Sequence, residues 1–446
     1  MPSRLFGYLS VRDWKTRLIF WSGAFAVGAI AAGFTLASNW VMALHEQILD
    51  HSRWWTLLLS PVVLVIVLFL TRYVFPNTQG SGIPQAIAAL RTKDGGLRRQ
   101  LLSLRIAFGK ILLTLLGFVG GASIGREGPI VHIGASVMYS LGRFTRFPPN
   151  YLRHGLIMAG GAAGIAAAFN TPIAGIIFAI EEMARFYEEK ATGMLLLAVI
   201  IAGVVALGVL GNYTYFGVTS ASFLHVKDWI AVPVCGVAGG LLGGLYSRFL
   251  ISGMRRLRPL YRKYWWTIAI ICGLLIAGIG LLSHGASYGT GYTQARHVLT
   301  GDAAMSYGFP FYKILANLVS YYSGIPGGLF SPSLAAGAGL GADLAPFMPY
   351  APVATVVLLG MVGYFTGVVQ TPLTATVIVM EMVNDQAMVF PIMAAAFIAL
   401  GVSKLVCRKP IYWALAEEFL GTPLIPKPED AAASDKRAEN TDGKNP

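Results

Sequence analysis

Charge is what this sequence has least of. Asp, Glu, Lys and Arg together make up 12% of its 446 residues, about half the share usual in a soluble domain. A soluble chain of this length needs far more polar surface, so a large soluble globular fold is excluded. Cysteine is scarcer still: Cys235, Cys272 and Cys407 each lie in or beside an apolar run. They give neither a disulfide framework nor a metal-ligand spacing, and no histidine falls at a metal spacing. The cysteines are read as packing residues, and no metal or cofactor is expected. A cleavable leader is also missing from the pattern, because the first apolar run is too long and lacks a small-residue cleavage site.

What is there is hydrophobic: 55% of the residues are apolar or aromatic. Runs long enough to cross a bilayer recur at 17–44, 54–75, 101–120, 155–181, 192–211, 230–251, 265–282, 351–369 and 387–405, which predicts an all-α polytopic membrane protein. A formal net charge of +13 would suggest nucleic acid in a soluble chain. Here the basic residues sit in short connections: Arg4, Arg12, Lys15 and Arg17; Arg91, Lys93, Arg98, Arg99 and Arg105; Arg143, Arg146 and Arg153; Arg255, Arg256, Arg258, Arg262 and Lys263; Lys404, Arg408 and Lys409. No nucleic-acid partner is expected; the surplus reads as topology and contact with anionic lipid. The positive-inside rule puts these loops and both termini in the cytoplasm and connections 212–228 and 284–311 outside. Residues 1–16 read as a cytoplasmic amphipathic helix at the interface, 17–422 as the membrane body, and 423–446 as a disordered tail.

Many apolar segments are interrupted by Gly or Pro: GSGIPQ (80–85), GREGP (125–129), FNTPIAG (169–175), SGIPGGLFSP (323–332) and QTPLTA (370–375). Broken backbone at membrane depth is costly unless it lines a cavity, so these breaks imply a polar pathway between tilted, broken helices. An internal echo accompanies them. Aligning Pro172 with Pro372 in NTPIAGIIFAIEEM and QTPLTATVIVMEMV also aligns Glu181 with Glu381, and SGIP occurs at 81–84 and 323–326. That is the pattern of transporters built from two inverted repeats, here about 17–210 and 230–422. Gly236, Gly240 and Gly244 recur at four-residue spacing and make a smooth face for close helix packing, within one subunit or between two.

The break GREGP carries the chemistry. Pro129 suits the first turn of a helix, and Gly128 before it lets a ligand approach the backbone. A helix end of this kind attracts negative charge through its dipole and its unpaired N–H groups. Several such ends aimed at one point make an anion site. Glu127 is then a tethered anion that competes for the site and leaves on protonation. The rival reading is a structural bridge to Arg126, although adjacent helical residues do not face one another. Arg126 is read as adding positive potential near the pathway. Lys110, in an apolar run, either does the same or snorkels to an interface.

The motifs GSGIP (80–84), GREGP (125–129) and GGLFSP (327–332), in this order and at these separations, resemble the anion-pathway motifs of the CLC chloride channels and proton/chloride exchangers, over nearly all of residues 15–420. The resemblance implies a CLC-type fold, a homodimer with one pathway per subunit, and a place in the cell inner (plasma) membrane. Its motif residues are Gly80, Gly82, Ile83 and Pro84; Gly125, Arg126, Gly128 and Pro129; Gly327, Gly328 and Pro332. It implies that Ser81 and Tyr412 give hydroxyls to a central chloride and that Leu329 and Phe330 give backbone N–H groups. Glu127 matches the external gating glutamate. Glu182 matches the internal proton-transfer glutamate, with Glu181 as its rival. Ser81, where nitrate-preferring members carry proline, implies chloride. The unbroken GREGP departs from the fluoride-exporting branch, and Gln85 stands where many members have an acid.

The function implied is exchange of chloride for protons across the bilayer, with both ions linked through Glu127. A passive, voltage- or pH-gated chloride channel of the same family is the alternative. A remote alternative from another class is an intramembrane serine hydrolase, since GASIG (121–125) fits G-x-S-x-G with Ser123 as nucleophile and His132 or His154 as base. That motif needs a strand before its turn, and apolar helical sequence flanks it here.

Overall fold

The computed structural model describes residues 11–144, 151–184, 192–211, 214–217, 221, 226–302, 305–383, 385 and 387–421. The expected interfacial helix at 1–16 falls outside these over 1–10, while 11–16 form the start of α1. Arg4, Arg146, most of loop 212–225 and the tail 423–446 also lie outside the described residues.

The chain is helical throughout, and among the described residues two isolated bridges replace any sheet. The first part runs α1 Val11–His51, α2 Thr56–Tyr73, α3 Ile83–Arg91, α4 Gly95–Leu101, α5 Leu104–Val119, α6 Glu127–Leu141, α7 Tyr151–Phe169, α8 Pro172–Phe178 and α9 Thr192–Leu210. The second runs α10 Ala231–Leu282, α11 Tyr292–Thr300, α12 Phe309–Tyr322, α13 Phe330–Leu344, α14 Val353–Val369, α15 Pro372–Val383, α16 Val389–Val406 and α17 Ile411–Leu420. Long apolar helices alternate with short ones that stop partway, as the Gly and Pro breaks predict.

One apolar run is not a single span. Run 155–181 is two helices, because Asn170 turns left-handed (φ 57°) and Pro172 starts afresh without an N–H. Gln370 makes the same turn (φ 60°) ahead of Pro372. Runs 230–251 and 265–282 belong to two helices that meet at a non-helical kink, Tyr264 (φ −115°, ψ 30°), and the pair is labelled together as α10.

The echoed segments meet in space. Glu181, in the π-helical turn Ala179–Ala184 after α8, accepts hydrogen bonds from Leu373 N (3.2 Å) and Thr374 N (2.6 Å) at the start of α15. Glu381, near the end of α15, accepts from Ile173 N (3.1 Å) and Ala174 N (2.7 Å) at the start of α8. Each acid caps the other helix, where dipole and orphan N–H groups both favour a carboxylate.

The glycine face of α10 is internal to the subunit. Gly236, Gly240 and Gly244 lie against Ala395, Ala399 and Ser403 of α16, and Gly239 and Gly243 against Gly363 and Gly367 of α14. A Cβ on Gly239 would overlap the backbone of Gly363 and Tyr364, whereas one on Gly278 would meet nothing within 4 Å. Gly239→Val is therefore expected to cost about 3 kcal/mol or more, the upper range for overpacking, and Gly278→Ala under about 0.5 kcal/mol. Thermal midpoints of the two variants in detergent check this.

Candidate functional site

The three motif turns are tied to one another at the centre of the bundle. Gly125 and Gly328 exchange two backbone hydrogen bonds of 2.7 Å each. Gly80 N donates to Ile325 O and Gly327 N to Gly80 O, both at 3.1 Å. Helices α3, α6 and α13 all begin at or just beyond these turns, so three N-termini open on one small region. The glycines permit the approach: a Cβ on Gly128 would collide with the Ser81 hydroxyl, and one on Gly82 would lie 2.9 Å from Gly128 O. The second SGIP, at 323–326, opens no helix; it ends α12 and supplies the partner of Gly80.

Glu127 is fully buried in this region. Its Oε1 accepts a hydrogen bond of 2.6 Å from the Ser331 hydroxyl, in the first turn of α13. Among the described residues Oε2 has no hydrogen-bond partner. The carboxylate therefore sits at a helix N-terminus other than its own, where a free anion would be held. Arg126 Nε stands 3.8 Å from Glu127 Oε1, and Arg126 Nη1 donates to Asn39 Oδ1 at 2.6 Å. The bridge to Arg126 thus forms, at long range. Arg126 is the N-cap and not a helical residue, so the spacing rule that argued against the pair does not apply to it.

Ser81 and Tyr412 are also fully buried, and among the described residues neither hydroxyl has a hydrogen-bond partner. Tyr412 lies within electrostatic reach of both Glu127 and Glu182. Its ring stacks on Phe330 at 6.4 Å and 15°, and Phe330 also meets Phe365 at 4.6 Å. Leu329 is the N-cap of α13 and Phe330 its first residue, so their N–H groups belong to the orphan end. Glu182 is 1% exposed, in the π-helical turn, and its backbone carbonyl accepts from Trp413 Nε1 at 2.9 Å. The two adjacent acids are thus separated: Glu181 caps α15, and Glu182 points into the interior beside α17.

Lys110 does not snorkel. It is fully buried, and its Nζ donates to the carbonyls of Thr78 (2.6 Å), Gln79 (3.4 Å) and Gly80 (2.8 Å), the turn ahead of α3. Gln85 folds back on the same turn, donating to Gln79 O at 2.6 Å, a bond that an ionised acid there could not make. Lys313 of α12 holds Ser287, Tyr288 and Gly289 in the same way, at 3.0, 3.2 and 2.8 Å. The sequence reading missed Lys313 and Ser331. The signal for Lys313 was the shared K-I-L of GKILLTL and YKILANL.

The hydrolase constellation does not assemble. Ser123 sits in a turn between helices, His132 Nε2 meets Leu101 O and His154 Nε2 meets Leu90 O, both at 2.8 Å. The three cysteines are buried and unpaired.

A sequence profile described as "Voltage gated chloride channel" matches residues 62–404. The chain belongs to that CLC family. The H(+)/Cl(-) exchange transporter ClcA of Yersinia pestis bv. Antiqua (strain Angola) is 27% identical over 441 residues, covering 94% of this chain and 91% of its own. That of Klebsiella pneumoniae (strain 342) is 27% identical over 416 residues, covering 88% and 86%. Among solved structures, a slow cyanobacterial Cl-/H+ antiporter superposes with TM-score 0.74 at 24% identity, covering 90% of this chain and 97% of its own. A CLC-type fluoride/proton antiporter gives TM-score 0.77 at 24% identity, covering 89% and 96%. These establish the all-α polytopic CLC fold.

Removing the Lys110 ammonium strands the buried Thr78 carbonyl, at roughly 1–3 kcal/mol, whereas those of Gln79 and Gly80 keep Gln85 and Gly327 as donors. Lys110→Met is expected to lower the unfolding midpoint of the purified protein by several °C. A midpoint unchanged from wild type would show that the turn ahead of α3 holds itself.

Proposed function

We propose that this chain is a secondary active transporter exchanging chloride for protons, and that one carboxylate serves both ions. The observation that carries the reading is Glu127 docked on the Ser331 hydroxyl at the N-terminus of α13, in an anion's place. Ionised, it closes the site to chloride. Protonated, it loses its attraction to the helix end and yields to the anion. Chloride is held by the Ser81 and Tyr412 hydroxyls and the N–H groups of Leu329 and Phe330, and protons reach the other face through Glu182.

Exchange is preferred over a passive channel for two reasons. The relatives above carry exchanger names, and Glu182 is a buried acid within reach of Tyr412, a second proton station with no use in a channel. The same proposal includes two inverted halves, about 17–210 and 230–422. The reciprocal Glu181 and Glu381 caps and the paired lysine clamps support it. It also includes a homodimer with one pathway per subunit and an inner-membrane setting with cytoplasmic termini, as the basic loops indicate.

Reconstituted vesicles under a chloride gradient, with voltage held near zero by potassium and valinomycin, test the reading. Wild type is expected to drive protons uphill. Glu127→Gln keeps the shape and loses the titratable group, so its coupled proton movement is expected to fall at least tenfold while chloride flux persists. Proton movement still coupled in Glu127→Gln would remove Glu127 from the mechanism. Chloride flux without proton movement in wild type would make the protein a channel.

A further inference from the structure

A second helix end is built like that of α3 and faces a different space. GSGIPQ (80–85) precedes and opens α3; GTGYTQ (289–294) precedes and opens α11. Both helices have 9 residues. Gly80 and Gly82 have φ of 64° and 103°, and Gly289 and Gly291 have 60° and 77°, values that favour glycine. Lys110 and Lys313 hold the corresponding carbonyls. Thr290 stands where α3 has Ser81. The repeated SGIP suggested a different partner for this turn; the hydrogen bonds and dihedrals select GTGYTQ.

Residues Gly289 to Gln294 line an open cavity of about 530 Å³ between the end of α1 and the loop after α10. His45 stands in its wall. It is 3% exposed, and its Nδ1 lies 2.9 Å from Val119 O. A carbonyl only accepts, so Nδ1 carries the proton and the neutral ring presents a bare Nε2 lone pair. Among the described residues Nε2 has no hydrogen-bond partner. Protonation turns it into a cationic N–H donor in the same cavity as the α11 N-terminus. Asn39 links this space to the transport site, since it lines the cavity and accepts from Arg126.

We propose that this cavity is a separate site for a small monovalent anion of halide size, bound between the first turn of α11 and protonated His45, and empty when His45 is neutral. Other charged and titratable groups face the same space. Glu46 and Asp50 lie on α1 itself. Arg53 stands 3.3 Å from the His284 ring across the opening. Tyr288 meets the His45 ring edge-on at 4.9 Å. Glu46, Asp50, Arg53 and His284 are exposed, so water screens them, whereas His45 acts from a buried position. The site lies on the face that the charge pattern of the loops places outside, so external acid would load an anion beside Arg126.

Bromide is the probe. Crystals of the full chain are grown in bromide at pH 5.5 and pH 8.5, and anomalous density is measured. A peak is expected at the α11 first turn within hydrogen-bond distance of His45 Nε2 at pH 5.5. It should be roughly tenfold weaker at pH 8.5, where a neutral imidazole has no N–H at Nε2 to give the anion. His45→Asn keeps an N–H where Nδ1 stands, and so the bond to Val119, but removes the group facing the cavity. It is expected to lose this peak at both pH values and to retain bromide near Ser81. No cavity peak at pH 5.5, equal peaks at both pH values, or a wild-type peak in His45→Asn would each overturn the site. The proposal does not depend on exchange: a chain shown to be a channel would leave it standing, and loss of the cavity peak would leave the Glu127 reading untouched.

Discussion

Everything in this structure depends on the need to satisfy backbone polar groups where no water is on hand. In a bilayer an unpaired N–H or C=O costs several kcal/mol, yet the chain breaks its helices repeatedly at depth. It does so by pairing the breaks with one another. Gly125 with Gly328, and Gly80 with Ile325 and Gly327, leave each broken end partnered by another break. The N–H groups left over belong to the first turns of α3, α6 and α13, and they converge. The proposed anion site is thus what remains after these breaks have paired.

The buried lysines and acids serve the same constraint from the side-chain end. Lys110 and Lys313 each meet three carbonyls, and only the ammonium form has three N–H groups to give. Because their partners are carbonyls and not carboxylates, these bonds do not cancel the charge. Each lysine therefore leaves positive potential directly behind a turn that opens a helix. Glu181 and Glu381 do the converse. Their charge is absorbed by the N-termini of α15 and α8, which leaves Glu127 and Glu182 as the acids beside the central hydroxyls.

How much of this was legible depended on whether the residue type itself carries the constraint. Proline and glycine do, so GREGP marked the start of α6 directly, but it carried no sign that Glu127 docks on the first turn of α13. The T-P and acid spacing gave the match of α8 with α15, although sequence gave no sign that the two acids cap each other's helices. A repeated string misled where geometry was not repeated: SGIP at 323–326 closes a helix, and the real counterpart of GSGIPQ, GTGYTQ, has no proline to mark it. Glycine spacing on α10 announced close packing but carried no label for the partner, which proved to be α14 and α16. The Arg126–Glu127 contact was set aside by a rule for residues inside helices, and it forms because Arg126 stands one position outside.

The pairing of α3 with α11 bears on why the proposed transport site uses one of these two ends and not the other. Both have the double-glycine turn, the lysine clamp and a hydroxyl residue. They differ in what closes over them. Ser81 is fully buried with Gly128 against its hydroxyl, so an anion placed there would be stripped of water beside several helix ends. Thr290 opens to a cavity whose rim carries exposed charges of both signs, where water remains and a single helix end is weak. An imidazole that becomes cationic only in acid is the kind of addition that turns such an end into a conditional site. His45, held at Nδ1 by Val119 and with an unpartnered Nε2 in the cavity wall, meets that requirement.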